Sequence, residues 1–247
     1  MAEVEWCKQR TQTGGCWGEV MMNRPERKNA ITGPFGEQLA VAFETLQQDD
    51  EVQAILLYGA AGAFCSGLDL NAFNAEPEPH WVADFQTTWR RAHSALFNCT
   101  KPVVGALERY AINGGAALGI ACDYLVAGEG AFLQVGEVQI GMAAPYNMAW
   151  LNLRHSERVI AEVTLIGDRL NGAELVRLGL ANESVADDQV VATARALCRR
   201  FAGFPAGTPQ KIKVGMRARI NESADEWFDR HTSVAGPRVK PSSMRAK

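Results

Sequence analysis

The sequence lacks apolar runs long enough to cross a membrane, and it lacks the cysteine spacing typical of zinc sites or disulfide frameworks. A transmembrane helix needs about 20 predominantly apolar residues. The 6 cysteines are scattered, most in apolar surroundings, and none forms Cys-x-x-Cys. The first residues, Met-Ala-Glu-Val-Glu-Trp, are not typical of a signal peptide. We therefore expect a cytoplasmic protein with reduced thiols in its core.

The sequence also lacks an excess of basic residues. Its 25 Lys and Arg residues against 28 Asp and Glu residues give a net charge of −3, which argues against nucleic-acid binding. A basic tail (238, 240, 245 and 247) is interpreted as a frayed end. The 4 histidines have no metal-ligand spacing, so we expect them on solvated or helix surfaces. No metal, membrane or nucleic-acid partner is predicted.

Strand-like and helix-like segments alternate along the chain. Its 247 residues suit one large α/β domain, with or without a small helical extension, and a 47% hydrophobic content can fill a core. Residues 3–23, broken by Gly14-Gly15, predict a hairpin. Thr32 is a plausible N-cap for a helix that runs to about Gln48. Further strands are predicted at 54–59, 103–107, 124–127 and 131–135, and helices at 81–98, 156–167, 171–179 and 187–201. This alternation is typical of a parallel sheet, and the helices after residue 201 have no strand partner.

Two glycine-rich turns precede predicted helices. One contains Ser66-Gly67, and the other contains Gly114-Gly115. A turn of this kind directs free backbone N–H groups, with the helix dipole behind them, at an oxygen that carries or develops negative charge. On these segments alone, the structural alternative, a glycine turn needed only for close packing, is the favoured interpretation.

One carboxylate, Glu137, lies among apolar and glycine residues in the segment 135–145. Such surroundings raise the pKa of a carboxyl group, which suits proton transfer. Other side chains favour structural roles. Asp69 is expected to cap a helix, Glu108 to be an exposed charge at a strand end, and Trp81, Phe85 and Trp89 to pack in the core or line an acyl pocket. Ser66 has no His/Asp arrangement for a nucleophile.

Five segments, in order and spacing, resemble the crotonase (enoyl-CoA hydratase/isomerase) superfamily over about residues 17–200. They are 24–30 (Arg-Pro-Glu-Arg-Lys-Asn-Ala), 63–70 (Ala-Phe-Cys-Ser-Gly-Leu-Asp-Leu), 101–103 (Lys-Pro-Val), 114–115 (Gly-Gly) and 167–180. The resemblance implies an α/β fold, a crotonase-like spiral of repeated ββα units over residues 1–200. It also implies a C-terminal helical region, 201–247, that supports a homotrimer or a dimer of trimers.

The resemblance also implies a site for an acyl-CoA thioester, with coenzyme A as part of the substrate and no separate cofactor. The backbone N–H groups of Ser66 and Gly114 would form the oxyanion hole. Lys28 and Ala30 would lie near coenzyme A, with Lys211 as a weaker phosphate candidate. The other positions expected to bind substrate are Ala63, Cys65, Gly67, Leu68, Asp69, Gly115, Ala117 and Pro145.

One departure from the family pattern bears on the reaction. Enoyl-CoA hydratases carry two glutamates, and the first position is Ala117 here, whereas the second is retained as Glu137. Hydration needs both carboxylates, but a single base can move a proton from C2 to C4 of a 3-enoyl thioester. The segment 136–145 resembles single-glutamate Δ3,Δ2-enoyl-CoA isomerases, so the expected activity is 3-enoyl-CoA to 2-enoyl-CoA isomerisation.

Other departures leave alternatives open. Glu108-Arg109 replaces the usual Asn-Gly before Tyr110, and Asn113 replaces a glycine. One alternative is hydration or another specialised crotonase reaction. A second is a relative that binds coenzyme A or RNA without activity. The retained Glu137 and both oxyanion positions argue against an inactive relative, and the acidic net charge argues against RNA.

Overall fold

The computed structural model describes residues 2–234, and a six-stranded sheet forms its centre. The nine strands are β1 (Val4–Arg10), β2 (Cys16–Met22), β3 (Val52–Gly59), β4 (Val103–Leu107), β5 (Tyr110–Ile112), β6 (Tyr124–Gly128), β7 (Phe132–Gln134), β8 (Arg169–Asn171) and β9 (Glu183–Val185). The large sheet has the order β1-β2-β3-β4-β6-β9. β1 and β2 form an antiparallel hairpin, as predicted, and the other neighbours are parallel.

A second sheet of three short strands, β5-β7-β8, lies beside the first. β5 and β7 are parallel, and β7 and β8 are antiparallel. The two sheets are connected because β5 follows β4 directly and β7 follows β6. The chain thus passes from the large sheet to the small one after β4 and again after β6.

Ten α-helices surround the sheets within residues 2–234. They are α1 (Gly33–Gln48), α2 (Leu70–Phe73), α3 (Phe85–Asn98), α4 (Gly114–Ala121), α5 (Pro145–Arg154), α6 (Glu157–Thr164), α7 (Gly172–Leu178), α8 (Val190–Ala202), α9 (Thr208–Arg217) and α10 (Ala224–Ser233). The Thr32 cap is confirmed, since its side chain accepts a hydrogen bond from the Phe35 N–H at 3.2 Å. Asn171 and Glu174 form a capping box that starts α7, and Gly179 closes that helix in the left-handed conformation.

Buried side chains form two layers on opposite faces of the large sheet. The larger layer joins the sheet to α1, α3, α4 and α5, and its fully buried members include Phe35, Phe43, Leu118, Trp150 and Phe228. The smaller layer lies between the sheet and α8, around Leu56, Val104, Val126 and Cys198. The cysteine prediction agrees with this packing. All six thiols are free, and five of them are buried.

Several elements of the structure differ from the prediction made from the sequence. The helix predicted at 156–167 ends earlier, at Thr164, and the helix predicted from residue 187 begins as a short 3-10 turn before Val190. α5, β5, β8 and β9 were not predicted. Three of these elements are three-residue strands, too short for a period-2 pattern to stand out.

The C-terminal helices cover the domain in different ways. α10 packs on α3 and α5, and its Phe228 is fully buried in the larger core layer. α9 buries only Pro209 and Lys213, and its outer side exposes Ile212, Val214 and Met216. The predicted boundary at residue 200 falls in the last turn of α8. The basic tail lies outside the described residues. Among residues 2–234, no helix is both long and apolar enough to traverse a bilayer.

Candidate active site

The loops that follow β2 and β3 are joined by a buried asparagine. The Asn29 side chain donates to the carbonyl oxygens of Ala60 and Ala63, at 3.1 and 2.7 Å, and accepts from the Arg24 N–H at 2.9 Å. Because both strands are parallel, their carboxyl ends lie at the same edge of the sheet, where ligand sites of α/β sheets commonly form. The loop 63–69 is therefore held in a fixed position at this edge.

Asp69 serves as a structural anchor of that loop. Its Oδ1 accepts from the Ala72 N–H at 3.0 Å, which confirms the predicted helix cap. Its Oδ2 accepts from the Arg24 guanidinium, also at 3.0 Å. Both carboxylate oxygens have partners, so Asp69 acts on the site by holding α2 and the loop before it. Ala63 and Cys65 are buried, and burial raises the pKa of the Cys65 thiol to about 12.

The backbone donor predicted at Ser66 is engaged elsewhere. The Ser66 N–H donates to the Lys28 carbonyl oxygen at 3.2 Å. The Gly67 N–H faces the Cys65 sulfur. Within residues 2–234, the Leu68 N–H has no acceptor, because the bridge to Ile31 uses the Gly67 carbonyl and the Asp69 N–H instead. Ser66 stays a predicted donor, and the Leu68 N–H, which has no acceptor in this part of the chain, is a second candidate for the oxyanion hole.

Gly67 makes this geometry possible. Its φ is +89°, a value that favours glycine, and a Cβ atom there would lie 2.9 Å from the Ile112 carbonyl oxygen. The Leu68 N–H is thus held close to the segment that leads into α4. A hydrogen bond joins the same two segments, since the Ile112 N–H donates to the Cys65 carbonyl oxygen at 3.0 Å.

A second free backbone donor lies at the start of α4. Gly114 is the first residue of the helix, and its N–H has no acceptor among the described residues. A Cβ atom on Gly115 would lie 2.5 Å from the Cys65 carbonyl oxygen, so only glycine permits this packing. Asn113 precedes them with φ 52° and ψ −111°, a strained conformation for a residue with a side chain, at a cost of about 1–3 kcal/mol.

Glu137 is buried beside the start of α4. It is 7% exposed and begins a short 3-10 turn, Glu137–Ile140, which Gly141 ends in the left-handed conformation. Its Oε1 accepts from the Asn147 side-chain amide at 2.8 Å, and its Oε2 has no partner in the described residues. Gln139 anchors the same turn by donating to the Gly167 carbonyl oxygen at 2.9 Å.

Burial raises the pKa of Glu137 to about 7, and two hydrogen bonds, one from its own backbone and one from Asn147, oppose the increase. A carboxyl group with this pKa is poised to accept or donate a proton near neutral pH. Its free Oε2 leaves one oxygen for a ligand proton. The arrangement can carry out general acid–base chemistry with a single group.

No second carboxylate stands at the family's other position. Ala117 is fully buried in α4, with Leu118 and Ala116 beside it. Glu108 was expected to be exposed, but it is half-buried, and desolvation raises its pKa. Its carbonyl oxygen accepts from the Phe64 N–H, which places it at the end of β4. Among residues 2–234, no group of three or more His, Cys, Asp or Glu converges on a common point.

Comparison with known proteins identifies the family to which the chain belongs. The family model described as enoyl-CoA hydratase/isomerase matches residues 14–234. The chain belongs to the enoyl-CoA hydratase/isomerase family. It therefore has the crotonase fold and is an enzyme of that family.

Similar proteins carry different activity names. The carnitinyl-CoA dehydratase of Proteus mirabilis (strain HI4320) is 28% identical over 219 residues, covering 87% of this chain and 82% of that protein. The mitochondrial Delta(3,5)-Delta(2,4)-dienoyl-CoA isomerase of Mus musculus is 26% identical over 227 residues, covering 85% and 68%. A crystal structure of carnitinyl-CoA hydratase from Mycobacterium avium superposes with a TM-score of 0.80 at 25% identity, covering 95% and 89%.

The positions expected to contact coenzyme A lie in two parts of the structure, the loop after β2 and α9. Lys28 is exposed and lies in the left-handed conformation at the end of the turn Pro25–Arg27. Ala30 is buried, and its carbonyl oxygen accepts from the Arg24 guanidinium at 2.5 Å. Lys211 is exposed on α9, whose buried Lys213 contacts the Lys101 carbonyl oxygen rather than the Lys28 turn. Lys28 thus lies on the same loop edge as Leu68, since its carbonyl oxygen accepts from the Ser66 N–H.

Aromatic side chains of α3 pack beside the backbone donors. A Cβ atom on Gly114 would lie 3.7 Å from the Trp89 ring, and Phe85 stacks on Trp89 with ring centroids 6.2 Å apart. His93 was expected at a surface but is fully buried between Trp89 and Tyr146, so that expectation is wrong. Burial lowers the His93 pKa to about 3, which keeps the ring neutral.

Asn147 is the site residue that sequence reasoning missed. It is 1% exposed on α5, directly after Pro145 and Tyr146, and it contacts Glu137. The signal that could have found it is a proline at the first position of a helix, which marks the start of α5 and places Asn147 in its first turn. An asparagine there, ten residues after Glu137, has no distinctive spacing of its own.

Proposed function

We propose that the chain shifts the double bond of a 3-enoyl-CoA to give a 2-enoyl-CoA, with Glu137 as the only proton-transferring group. The observation that carries the proposal is the isolation of Glu137. It is a single buried carboxyl group with a pKa raised to about 7 and one unpartnered oxygen, beside a helix that has Ala117 where a second carboxylate would be needed for hydration. The mouse isomerase among its relatives is consistent with double-bond movement.

The proposed reaction has two proton steps. Glu137 Oε2 removes a proton from C2, and the C–H electron pair forms a C1=C2 double bond while the thioester oxygen takes up the negative charge of a dienolate. In the second step this charge returns to the carbonyl, the C1=C2 pair shifts to C2=C3, and the former C3=C4 pair forms the new C4–H bond. The protonated Glu137 then returns the proton at C4, and the double bond ends between C2 and C3. One carboxyl group close to both carbons suffices, and its pKa near 7 lets it accept and release the proton with similar ease.

The thioester oxygen would be held by the backbone N–H groups of Leu68 and Gly114. Two facts support this pair: neither donor has an acceptor within residues 2–234, and the Gly67–Ile112 contact keeps their segments together. Donors fixed before the reaction stabilise the enolate where its charge develops. Lys28 would bind the phosphate end of coenzyme A, with Ala30 near it.

Replacement of Glu137 by glutamine tests the proposal. The variant should lose about 10²–10⁴-fold in the isomerisation kcat, because a neutral amide cannot take a proton. The dissociation constant for acyl-CoA should change little, since the backbone donors are intact. Glu129→Gln, an exposed carboxylate replaced in the same way, is the control and should keep full activity. Full isomerase activity in Glu137→Gln would refute the single-base mechanism.

Hydration of a 2-enoyl-CoA is the second candidate, and one observation favours it. Asn147 Oδ1 and Glu137 Oε2 are both buried acceptors without partners, and two such acceptors can hold a water molecule. The Proteus relative is named a dehydratase, which is consistent with this chemistry. Ala117→Glu separates the candidates. It should raise hydration of 2-enoyl-CoA if the wild-type enzyme lacks a second group, and leave hydration unchanged or lower it if Asn147 already supplies that group.

A further inference from the structure

Asn113 ties the start of α4 to the segment that carries Glu137. Its N–H donates to the Gln134 carbonyl oxygen, and its Oδ1 accepts from the Gly136 N–H, both at 2.8 Å. Its carbonyl oxygen accepts from the Asn147 side chain at 3.1 Å. The residue directly before the free Gly114 donor is thus bonded to Gln134 and Gly136, just ahead of Glu137, and to α5.

Asn147 completes the connection. Its single Nδ2 group donates both to the Asn113 carbonyl oxygen and to Glu137 Oε1. Both neighbours are acceptors, so the nitrogen rather than the oxygen of the amide must face them. A side chain that is 1% exposed and fixed by two hydrogen bonds has little freedom to move.

We propose that Asn113 and Asn147 form a positioning clamp that fixes the Glu137 carboxylate relative to the Gly114 backbone donor. The inference rests on the proposed function, in which Glu137 is the base and Gly114 holds the thioester oxygen. Neither asparagine touches the reacting atoms. Their contribution is to keep Oε1 occupied, so that Oε2 alone faces the substrate, and to make the base and the donor one rigid unit.

Rigid placement matters because proton transfer needs the base within hydrogen-bond reach of the carbon-bound proton, and a displacement of about 1 Å can lower the rate about 10²-fold. The Asn147 amide also favours the charged carboxylate, which opposes the effect of burial. Loss of this donor should therefore raise the Glu137 pKa further.

The described charged side chains on the elements around Glu137 do not pair with its carboxylate. α4 has no titratable side chain. On α5, Arg154 pairs with Asp123, and Tyr146 stacks on His93. After α6, Asp168 and Arg169 are exposed, and Arg169 lies over the Phe132 ring. No ion pair reaches Glu137 among the described residues.

Asn147→Ala removes the shared donor. We expect kcat for isomerisation to fall about 10²-fold with KM nearly unchanged, and the acid limb of the pH profile to move to higher pH. Direct titration of the Glu137 carboxyl carbon by ¹³C NMR, assigned with Glu137→Gln, should show the same upward pKa shift. Asn152→Ala, the same change at an exposed position of α5, should alter none of these quantities.

Asn113→Gly is a second variant, in which a change in kcat can be separated from a loss of stability. Glycine adopts the φ and ψ of Asn113 without strain and keeps both backbone hydrogen bonds, but it loses the link to Gly136. We expect a thermal midpoint that is unchanged or higher, together with a fall in kcat of at least tenfold. A merely structural asparagine would instead show no loss of kcat when stability is kept.

The two sets of measurements separate the clamp from the proposed function. Absence of isomerisation in the wild-type enzyme would refute the function, whereas the NMR titration would still report on the clamp. An unchanged Glu137 pKa in Asn147→Ala, or full kcat in Asn113→Gly, would overturn the clamp even if the wild-type enzyme isomerises 3-enoyl-CoA.

Discussion

At the scale of single residues, the burial of Glu137 favours function at the expense of stability. Its pKa rises from 4.5 to about 7 because the charged form is desolvated. A carboxyl group whose pKa is raised in the folded state binds its proton more tightly there than in the unfolded chain. Stability is therefore lost as pH rises from 4.5 to 7, and it stays lower above that range.

Glu137→Gln should be more stable than the wild-type protein at pH 8. A neutral amide avoids the desolvation of the charge, and the difference could reach about 3 kcal/mol, given 1.36 kcal/mol per pKa unit. The advantage should shrink as pH falls toward 4.5. Chemical denaturation at pH 8, 6.5 and 5 measures it. A stability difference that does not vary with pH would show that Glu137 has an ordinary pKa.

The Gly114 backbone donor can be deleted without removing a side chain. Proline is tolerated at the first position of a helix but has no N–H, so Gly114→Pro removes the proposed oxyanion donor. We expect a loss of about 10²–10³-fold in kcat, typical for one such donor. Gly114→Ala adds a Cβ atom 3.0 Å from Ile31 but keeps the N–H, so it controls for bulk. Equal losses in both variants would exclude the N–H as the cause.

At the scale of secondary-structure elements, α4 depends on close packing against the loop at Cys65. The helix is almost entirely buried, and its small residues let it approach neighbouring backbone. Its two interior glycines differ in their surroundings. A Cβ atom on Gly115 would meet a carbonyl oxygen at 2.5 Å, whereas one on Gly119 would have its nearest neighbour at 3.7 Å.

Alanine at these two positions should have opposite effects. Gly115→Ala forces the Cys65 loop away and should destabilise the fold by about 1–3 kcal/mol. Gly119→Ala fits and should be neutral or stabilise by up to about 1 kcal/mol, because alanine favours the helix. Denaturation midpoints of both variants measure this. A Gly115→Ala variant as stable as Gly119→Ala would mean that the close contact is absent.

The sequence predicted the elements whose signals are local and repeated. The hairpin, the Thr32 cap and the buried strands follow from alternation, capping chemistry and apolar runs, and the structure confirms them. Glu137 could be proposed because a charge among apolar residues stands out. The Leu68 donor could not be assigned in this way, because which backbone N–H is free depends on pairing between Ile31 and the loop after β3. The clamp at Asn147 likewise depends on how α5 packs on α4.

At the scale of the whole molecule, the outer side of α9 is an apolar surface that residues 2–234 of the single chain leave uncovered. Ile212, Val214 and Met216 are 61%, 53% and 64% exposed. Next to them lies an apolar groove of about 400 Å³ between α9, the end of α8 and the starts of β4 and β6. Exposed apolar patches of this kind commonly mark interfaces between proteins.

We predict a homotrimer or a dimer of trimers in solution. Burial of the α9 surface between copies would remove it from water, which the single chain cannot do. Light scattering at micromolar concentration should give three or six times the chain mass of 26.9 kDa. Ile212→Glu should shift this mass toward that of the monomer, whereas Lys211→Glu beside it should not. A monomeric wild-type protein would contradict the prediction.

The measurement that tests the account most directly compares two reactions of one purified sample. The rate of 3-enoyl-CoA isomerisation and the rate of 2-enoyl-CoA hydration are followed under identical conditions at pH 8, where Glu137 is ionised. Because Ala117 provides no second carboxylate, we predict that isomerisation is much faster than hydration and that Glu137→Gln lowers the isomerisation rate about 10²–10⁴-fold. Efficient hydration by the wild-type enzyme, retained in Glu137→Gln, would contradict the single-base account.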